Sequence, residues 1–255
     1  MHPAPWSFSW EPFFLALSVV AAVAYARAAR TAQPSRIRVA TFALGLGLVV
    51  AALCSPLETI ARHYLLLFHL LGNVMIADWA PPLLILGLTP AMRAEISRRG
   101  GTVLARLSRP WIALPTWLAV WYLVHLPAFY DYALRHTWAL NVEHGLLIAA
   151  GLLFWWTVFG GVLSTPGALA YLGVAFVASA FLGLAFIFSS TAFYDFYEHA
   201  PRLWGLSAAK DQNLGGILMN AEQTAVFLTA LSYFLVRLLN EEELQQRAAE
   251  PRPEA

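Results

Sequence analysis

The sequence predicts an all-α membrane protein, a bundle of seven transmembrane helices with its N-terminus outside and its C-terminus in the cytoplasm. Of its 255 residues, 59% are hydrophobic and only 12% are charged, about half the charged content of an ordinary soluble domain. Seven apolar stretches approach the length of about 20 residues that crosses a bilayer. Lys and Arg concentrate in alternate loops, as they do on the cytoplasmic side of membrane proteins.

The seven predicted spans are residues 12–29, 39–57, 64–88, 110–126, 142–163, 168–189 and 214–238. We expect the first span to be a retained helix rather than a secretory leader, because no Lys or Arg precedes it and Arg27 and Arg30 follow it. The third span contains Pro81 and Pro82, which predict a kink. The loop between the third and fourth spans is basic and contains Gly100 and Gly101. Residues 1–239 therefore form one bundle, and residues 240–255 are expected to be a solvated, disordered tail.

Loop charge gives the orientation. Most of the 16 Lys and Arg residues follow the first, third and seventh spans, which places those loops in the cytoplasm. The four basic residues left for the outer side are Arg62, Arg135, Arg202 and Lys210. Membrane orientation explains the basic loops, so they do not indicate a nucleic-acid partner.

All seven histidines then fall on the outer side of the membrane. They are His2, His63, His69, His125, His136, His144 and His199. Neutral imidazole is a common metal ligand and proton carrier, so this asymmetry indicates chemistry at the outer face. The single cysteine, Cys54, is either an inert buried thiol or a soft ligand. The chain has no CxxC, Walker, GxGxxG or GxSxG motif, and we expect no enzymatic activity.

Two outer loops, residues 129–138 and 192–204, are rich in Tyr, Phe and Trp. Aromatic side chains at this depth usually anchor a protein among lipid headgroups. The loops also carry acidic residues and histidines, so a polar lid over the outer mouth of the bundle is the alternative.

Two spans carry the same pair of polar residue types. His69 and Asn73 are spaced i, i+4 on the third span, and Asn141 and His144 are spaced i, i+3 at the start of the fifth. Intramembrane ionisable residues are candidates for function. The alternative is that these residues only form interhelical hydrogen bonds.

The seventh span adds a third candidate region. Asp211 and Gln212 stand where side chains cap a helix, and Met219 follows on a stripe with Gly215 and Gln223. A thioether suits Cu(I), although a single Met is also a common packing residue. On the third span, Asp78 comes nine residues after His69 and points to the opposite face, where it pairs with another helix or belongs to a proton path.

Four segments resemble the membrane cytochrome c oxidase assembly-factor family of the CtaG type, a group of polytopic bacterial proteins. The segments are SPL (residues 55–57), FHLLGNVMIADWAPPLLILGLTP (68–90), EHGLLIAAGLLFWW (143–156) and RLWGLSAAKDQNLGGILM (202–219). The resemblance implies a multi-pass protein of the bacterial plasma membrane (the inner membrane). It also implies functional positions at His69, His144, Asp211 and Met219. Asn73 departs from the pattern, since many members have a second histidine there, and Asn is a poor Cu(I) ligand.

The leading hypothesis is a non-enzymatic oxidase assembly factor that binds or delivers copper at the outer face. The proposed ligands are His69, His144 and Met219. The auxiliary residues are Asn73, Asn141, Asp211, His63 and His199. The expected partners are an oxidase subunit and the lipid bilayer, and an oligomer is possible. Three alternatives stay open: a metal-free scaffold or chaperone for an oxidase subunit, a haem-binding redox protein, and a proton-coupled transporter that uses Asp78 and Glu222.

Overall fold

The computed structural model describes residues 2–249, and every regular element in this part of the chain is a helix. The helices are α1 (Pro12–Ala32), α2 (Arg36–Leu53), α3 (Pro56–His63), α4 (Leu66–Val74), a π-helical turn (Met75–Trp79), α5 (Ala80–Gly87), α6 (Pro90–Leu107), α7 (Pro110–Val124), α8 (Pro127–Arg135), α9 (Thr137–Phe159), α10 (Thr165–Phe188), α11 (Asp195–His199) and α12 (Ala208–Ala249). The predicted all-α class is confirmed.

Six helices in the described residues are long and apolar enough to cross a membrane. The α4–π turn–α5 segment counts as one of them. A seventh span results if α7 and α8, which meet at a 68° bend, are taken together. Pro127 opens α8 at this bend, where its missing N–H does not interrupt a helix. The chain is therefore a multi-pass helical membrane protein with six or seven candidate spans.

Two predicted segments have different bounds in the structure, for local reasons. The second span ends at Leu53 rather than at residue 57, because Ser55 caps the separate helix α3 by accepting a hydrogen bond from the Leu57 amide at 3.1 Å. The basic segment predicted as an inner loop is mostly the helix α6, which breaks at Gly101, where φ is 51°. The third span, which was predicted to kink, contains the π turn just before its two prolines.

The C-terminal helix is longer than the predicted span. α12 continues to Ala249, so residues 240–249 of the predicted disordered tail are helical. Ion pairs at i, i+4 support this extension, from Arg237 to Glu241 at 2.8 Å and from Arg247 to Glu243 at 2.5 Å. Residues 250–255 of the predicted tail lie outside the described residues.

Two basic residues bind helix ends at one end of the bundle. Arg38 donates to the carbonyl oxygens of Leu86 (2.8 Å) and Leu88 (2.5 Å), and Arg93 donates to that of Phe159 (2.9 Å). The segments that carry these arginines are both predicted to be cytoplasmic, and they lie at the same end of the structure. Which side of the membrane this end faces stays a prediction.

The α4–π turn–α5 span and α9 form the centre of the bundle. In their most apolar windows 67% and 56% of the residues are buried, against 11% for α1. The start of α12 packs against α4, and the π turn packs against α9. Polar side chains on these central helices are therefore shielded by the peripheral helices.

Candidate functional site

The structure brings the two predicted imidazoles together. His69 on α4 and His144 on α9 have 1% and 2% of their surface exposed, and their ring centroids are 5.8 Å apart. The two residues are 75 positions apart in sequence, so only the packing of α4 and the π turn against neighbouring helices creates this contact.

A carboxylate that the sequence analysis did not select joins them. Glu143 is fully buried, and its Oε1 atom lies 3.2 Å from His69 Nε2 and accepts a hydrogen bond from Asn73 Nδ2 at 3.1 Å. Asn73 therefore joins the site through its hydrogen bond to Glu143. The signal that would have identified Glu143 is its presence as an ionisable residue inside an apolar span, next to His144.

The second ring nitrogen of His69 contacts α11. Tyr197 Oη lies 3.2 Å from His69 Nδ1 and 2.6 Å from the carbonyl oxygen of Ala61. Burial raises the pKa of Tyr197 well above its ordinary value, so the hydroxyl keeps its hydrogen. A phenol has one hydrogen to donate. When that hydrogen goes to the closer Ala61 oxygen, Nδ1 donates to Tyr197.

Aromatic rings surround this polar centre. Tyr130 lies 4.8 Å from the His69 ring and stacks on Tyr194 at 4.3 Å between centroids. His125, which the sequence analysis counted only among the outer histidines, is stacked 5.7 Å from Tyr130, and Phe14 lies 6.0 Å from His144. The centre is consequently held in an apolar, shielded environment.

Several buried polar atoms around the two histidines have no hydrogen-bond partner within residues 2–249. They are His144 Nδ1, Glu143 Oε2, Asn73 Oδ1, Tyr130 Oη and His125 Nε2. Buried polar atoms are satisfied in the great majority of cases, by protein groups, water or ions. Their concentration here indicates a centre with donors and acceptors available to a small polar ligand or ion.

The two aromatic segments predicted to be outer loops contact each other beside the centre. Asp131 in α8 accepts hydrogen bonds from the amides of Asp195 (3.2 Å) and Phe196 (2.9 Å) at the start of α11. Arg135 pairs with Asp195 at 2.5 Å. These contacts hold α8 and α11 together. Tyr130, Tyr194 and Tyr197, which lie in or beside these two helices, are buried.

A further group of charged side chains lies on α3. Glu58 is buried, and burial raises its carboxyl pKa well above the ordinary value, against the opposing effect of Arg62. Arg62 pairs with Glu11 at 3.0 Å. The neighbouring His63 is half-buried, with a pKa lowered by burial and then by Arg62 and His2.

The predicted auxiliary histidines are peripheral. The ring of His63 lies 6.2 Å from His2, and the side chain of His199 is 77% exposed beside Asp195. Within residues 2–249, neither forms a hydrogen bond or ring contact with His69 or His144. Asn141 is half-buried, with its Oδ1 atom unpartnered.

Asp211 caps a different helix from the one that carries it. Its Oδ2 and Oδ1 atoms accept hydrogen bonds from the amides of Leu66 (2.8 Å) and Leu67 (2.9 Å), the first residues of α4. The prediction of a cap on the seventh span is therefore corrected. Asp211 fixes the helix on which His69 follows, rather than contacting an imidazole. Gln212 instead binds the loop before α11. Its Nε2 atom donates to the carbonyl oxygen of Thr191, and its Oε1 atom accepts from the amide of Phe193.

The third proposed ligand lies in the apolar cluster around the histidines. Met219 is 1% exposed and belongs to the same cluster as Leu70, Phe186 and Tyr197. Within the described part of the chain, no group of three or more His, Cys, Asp or Glu side chains has an arrangement suited to a metal ion. The available donor set is therefore two imidazoles, with a carboxylate bound to one of them.

Comparison with known proteins gives one match. A family model described as cytochrome c oxidase caa3 assembly factor (Caa3_CtaG) matches residues 19–241, most of the chain. Neither a curated protein nor a solved structure matches.

Proposed function

The chain belongs to the cytochrome c oxidase caa3 assembly factor family, and from this premise we propose that it assists oxidase assembly by holding copper between His69 and His144. Copper is then cargo for an oxidase subunit rather than a catalytic cofactor. The observation that carries the proposal is the close approach of these two buried imidazoles, 5.8 Å between centroids, inside a membrane bundle.

The donor types fit copper. Imidazole and thioether are ligands that copper accepts well, and imidazole–metal bonds are about 2 Å long, as in zinc sites. His144 Nδ1 has no hydrogen-bond partner, so it is available as a donor atom without breaking a contact. Met219 in the surrounding cluster is the candidate for a third, sulfur ligand.

Glu143 and Tyr197 would control the availability of His69. Both ring nitrogens of His69 have protein partners, so binding through either nitrogen requires that Glu143 or Tyr197 give up its contact. Such competition weakens binding, and a modest affinity is what a protein that passes copper to a client needs. A carboxylate beside a ligating histidine also orients the ring and its tautomer.

A second candidate function is a metal-free scaffold for an oxidase subunit. The same occupancy of both His69 nitrogens favours it, because the histidine then serves as a hydrogen-bonding link between α4, α9 and α11. In this alternative the polar centre only positions the helices that contact the client.

Complementation separates the two functions. In cells that make a caa3-type oxidase and lack their own copy of this protein, we expect His69→Ala/His144→Ala to leave oxidase activity as low as the empty vector does. The exposed control His199→Ala should restore activity fully. Added copper should recover activity in the strain that carries the double variant.

Oxidase activity that stays low at every copper concentration, with the double variant present in membranes at the wild-type amount, would support the scaffold. Full activity of the double variant without added copper would reject any role for the two histidines.

A further inference from the structure

A second buried polar group lies farther along the third span than His69. Asp78, in the π-helical turn, is completely buried, and Glu222 on α12 is 6% exposed. Their carboxyl groups lie within hydrogen-bonding reach of each other. Trp79 Nε1 donates to Glu222 Oε2 at 2.8 Å.

Asp78 lies in the π turn just before the two prolines of the third span. Pro81 and Pro82 have no N–H, so the carbonyls of Ala77 and Asp78 lose the donors that an α-helix would supply. Within the turn, the Ala80 amide bonds to the Met75 carbonyl, five residues back. Single π turns inside α-helices frequently occur at functional sites.

The pair of Asp78 and Glu222 lacks hydrogen-bond donors. Both oxygens of Asp78 and the Oε1 atom of Glu222 have no hydrogen-bond partner within residues 2–249. Ionised carboxylates only accept hydrogen bonds, so two of them cannot satisfy each other. No Lys, Arg or His in the described residues forms an ion pair with either group.

Within residues 2–249, the helices that pack against the π turn place no other charged side chain beside Asp78 and Glu222. α9 packs against the π turn so closely that a Cβ atom on Gly151 would lie 2.2 Å from the Ala77 carbonyl oxygen. The ionisable side chains of α9 lie at its other end, at Glu143 and His144, and those of α2 are Arg36 and Arg38 at its start. On α4 and α5, His69 is the only ionisable side chain and is engaged elsewhere. On α12 the nearest charged residue before Glu222 is Asp211, which binds α4.

We propose that Asp78 and Glu222 form a proton-binding site in which one proton is shared between the two carboxyl groups. A protonated carboxyl supplies the missing donor, and its O–H donates to the carboxylate of the other residue. Two carboxylates in contact in an apolar interior do not both ionise, because each destabilises the charge on the other. Hard cations such as Ca²⁺ and Mg²⁺ need six or more oxygen ligands, which this pair does not offer.

Infrared spectroscopy of the purified full-length protein tests this site. The carbonyl stretch of a protonated carboxylic acid is separate from that of a carboxylate and shifts in D₂O. Near neutral pH, we expect the wild-type spectrum to contain the band of one carboxylic acid that Asp78→Asn/Glu222→Gln lacks. The exposed control Glu95→Gln should leave the band unchanged.

Single variants keep the test valid if the double variant does not fold. In Glu222→Gln the amide oxygen still accepts from Trp79 and the amide N–H replaces the shared proton, so the band should disappear. Three results would overturn the proposal: no difference between the wild type and the double variant, a loss equal to two acids, or a band that persists in both single variants. A wild-type band abolished by adding Na⁺, Mg²⁺ or Ca²⁺ would also overturn it, in favour of a metal cation.

Discussion

Replacing Glu143 with alanine is expected to destabilise the folded protein by about 3 kcal/mol. Glu143 is fully buried and bonds both His69 and Asn73 across the interface between α9 and α4. Interhelical hydrogen bonds inside membranes average only about 0.6 kcal/mol each, so two lost bonds explain roughly a third of this effect. The remainder comes from leaving two buried polar atoms, His69 Nε2 and Asn73 Nδ2, without a partner.

Thermal unfolding in detergent measures this effect, with two matched controls. Glu143→Gln keeps an oxygen that accepts from Asn73, so we expect a loss of about 1 kcal/mol. Glu95→Ala removes an exposed carboxylate that pairs with Arg98 and Arg99, and we expect a much smaller loss of stability than Glu143→Ala causes. An alanine variant at Glu143 as stable as the Glu95 control would show that the polar centre does not hold the helices together.

The second large effect is expected at Asp211. Asp211→Ala should cost about 2 to 3 kcal/mol, because two amides at the start of α4 lose a carboxylate acceptor and stay buried. Arg202 also loses its ion pair with Asp211, whose Oδ2 atom is 4.0 Å away. The start of α4 should then open locally, three residues before His69.

Hydrogen exchange of a peptide that covers Leu66 and Leu67 reports on this opening. Faster exchange is expected there than in a peptide from α10, which Asp211 does not contact. Asp211→Asn, whose single carbonyl oxygen replaces two acceptor oxygens, should show an intermediate rate. Unchanged exchange at Leu66 and Leu67 in the alanine variant would contradict the capping role.

Hydropathy and charge were sufficient to predict the helical membrane fold, because the bilayer requires long apolar segments with internal backbone hydrogen bonds. Helix ends were predicted less well. Ser55 begins a new helix where the apolar run continues, and α12 extends past its apolar part through exposed ion pairs. Local hydrogen bonds that hydropathy does not register determine both ends.

The candidate site was predicted in part, for a related reason. Helical spacing places His69 and Asn73 on one face of α4, but it does not say which helix that face contacts. Glu143, Tyr197 and the first turn of α4 therefore remained unassigned until the packing was known. Asp211 shows the limit most clearly, since it caps a helix that begins 145 residues earlier in the chain.

Anaerobic Cu(I) titration of the purified protein tests the central claim most directly. The wild type should bind about one equivalent with imidazole nitrogen in its X-ray absorption spectrum, since copper accepts imidazole well and the centroids of the two rings are 5.8 Å apart. His69→Ala/His144→Ala should lose this binding, while His199→Ala should retain it. No stoichiometric binding by the wild type, or unchanged binding by the double variant, would contradict copper handling at this centre.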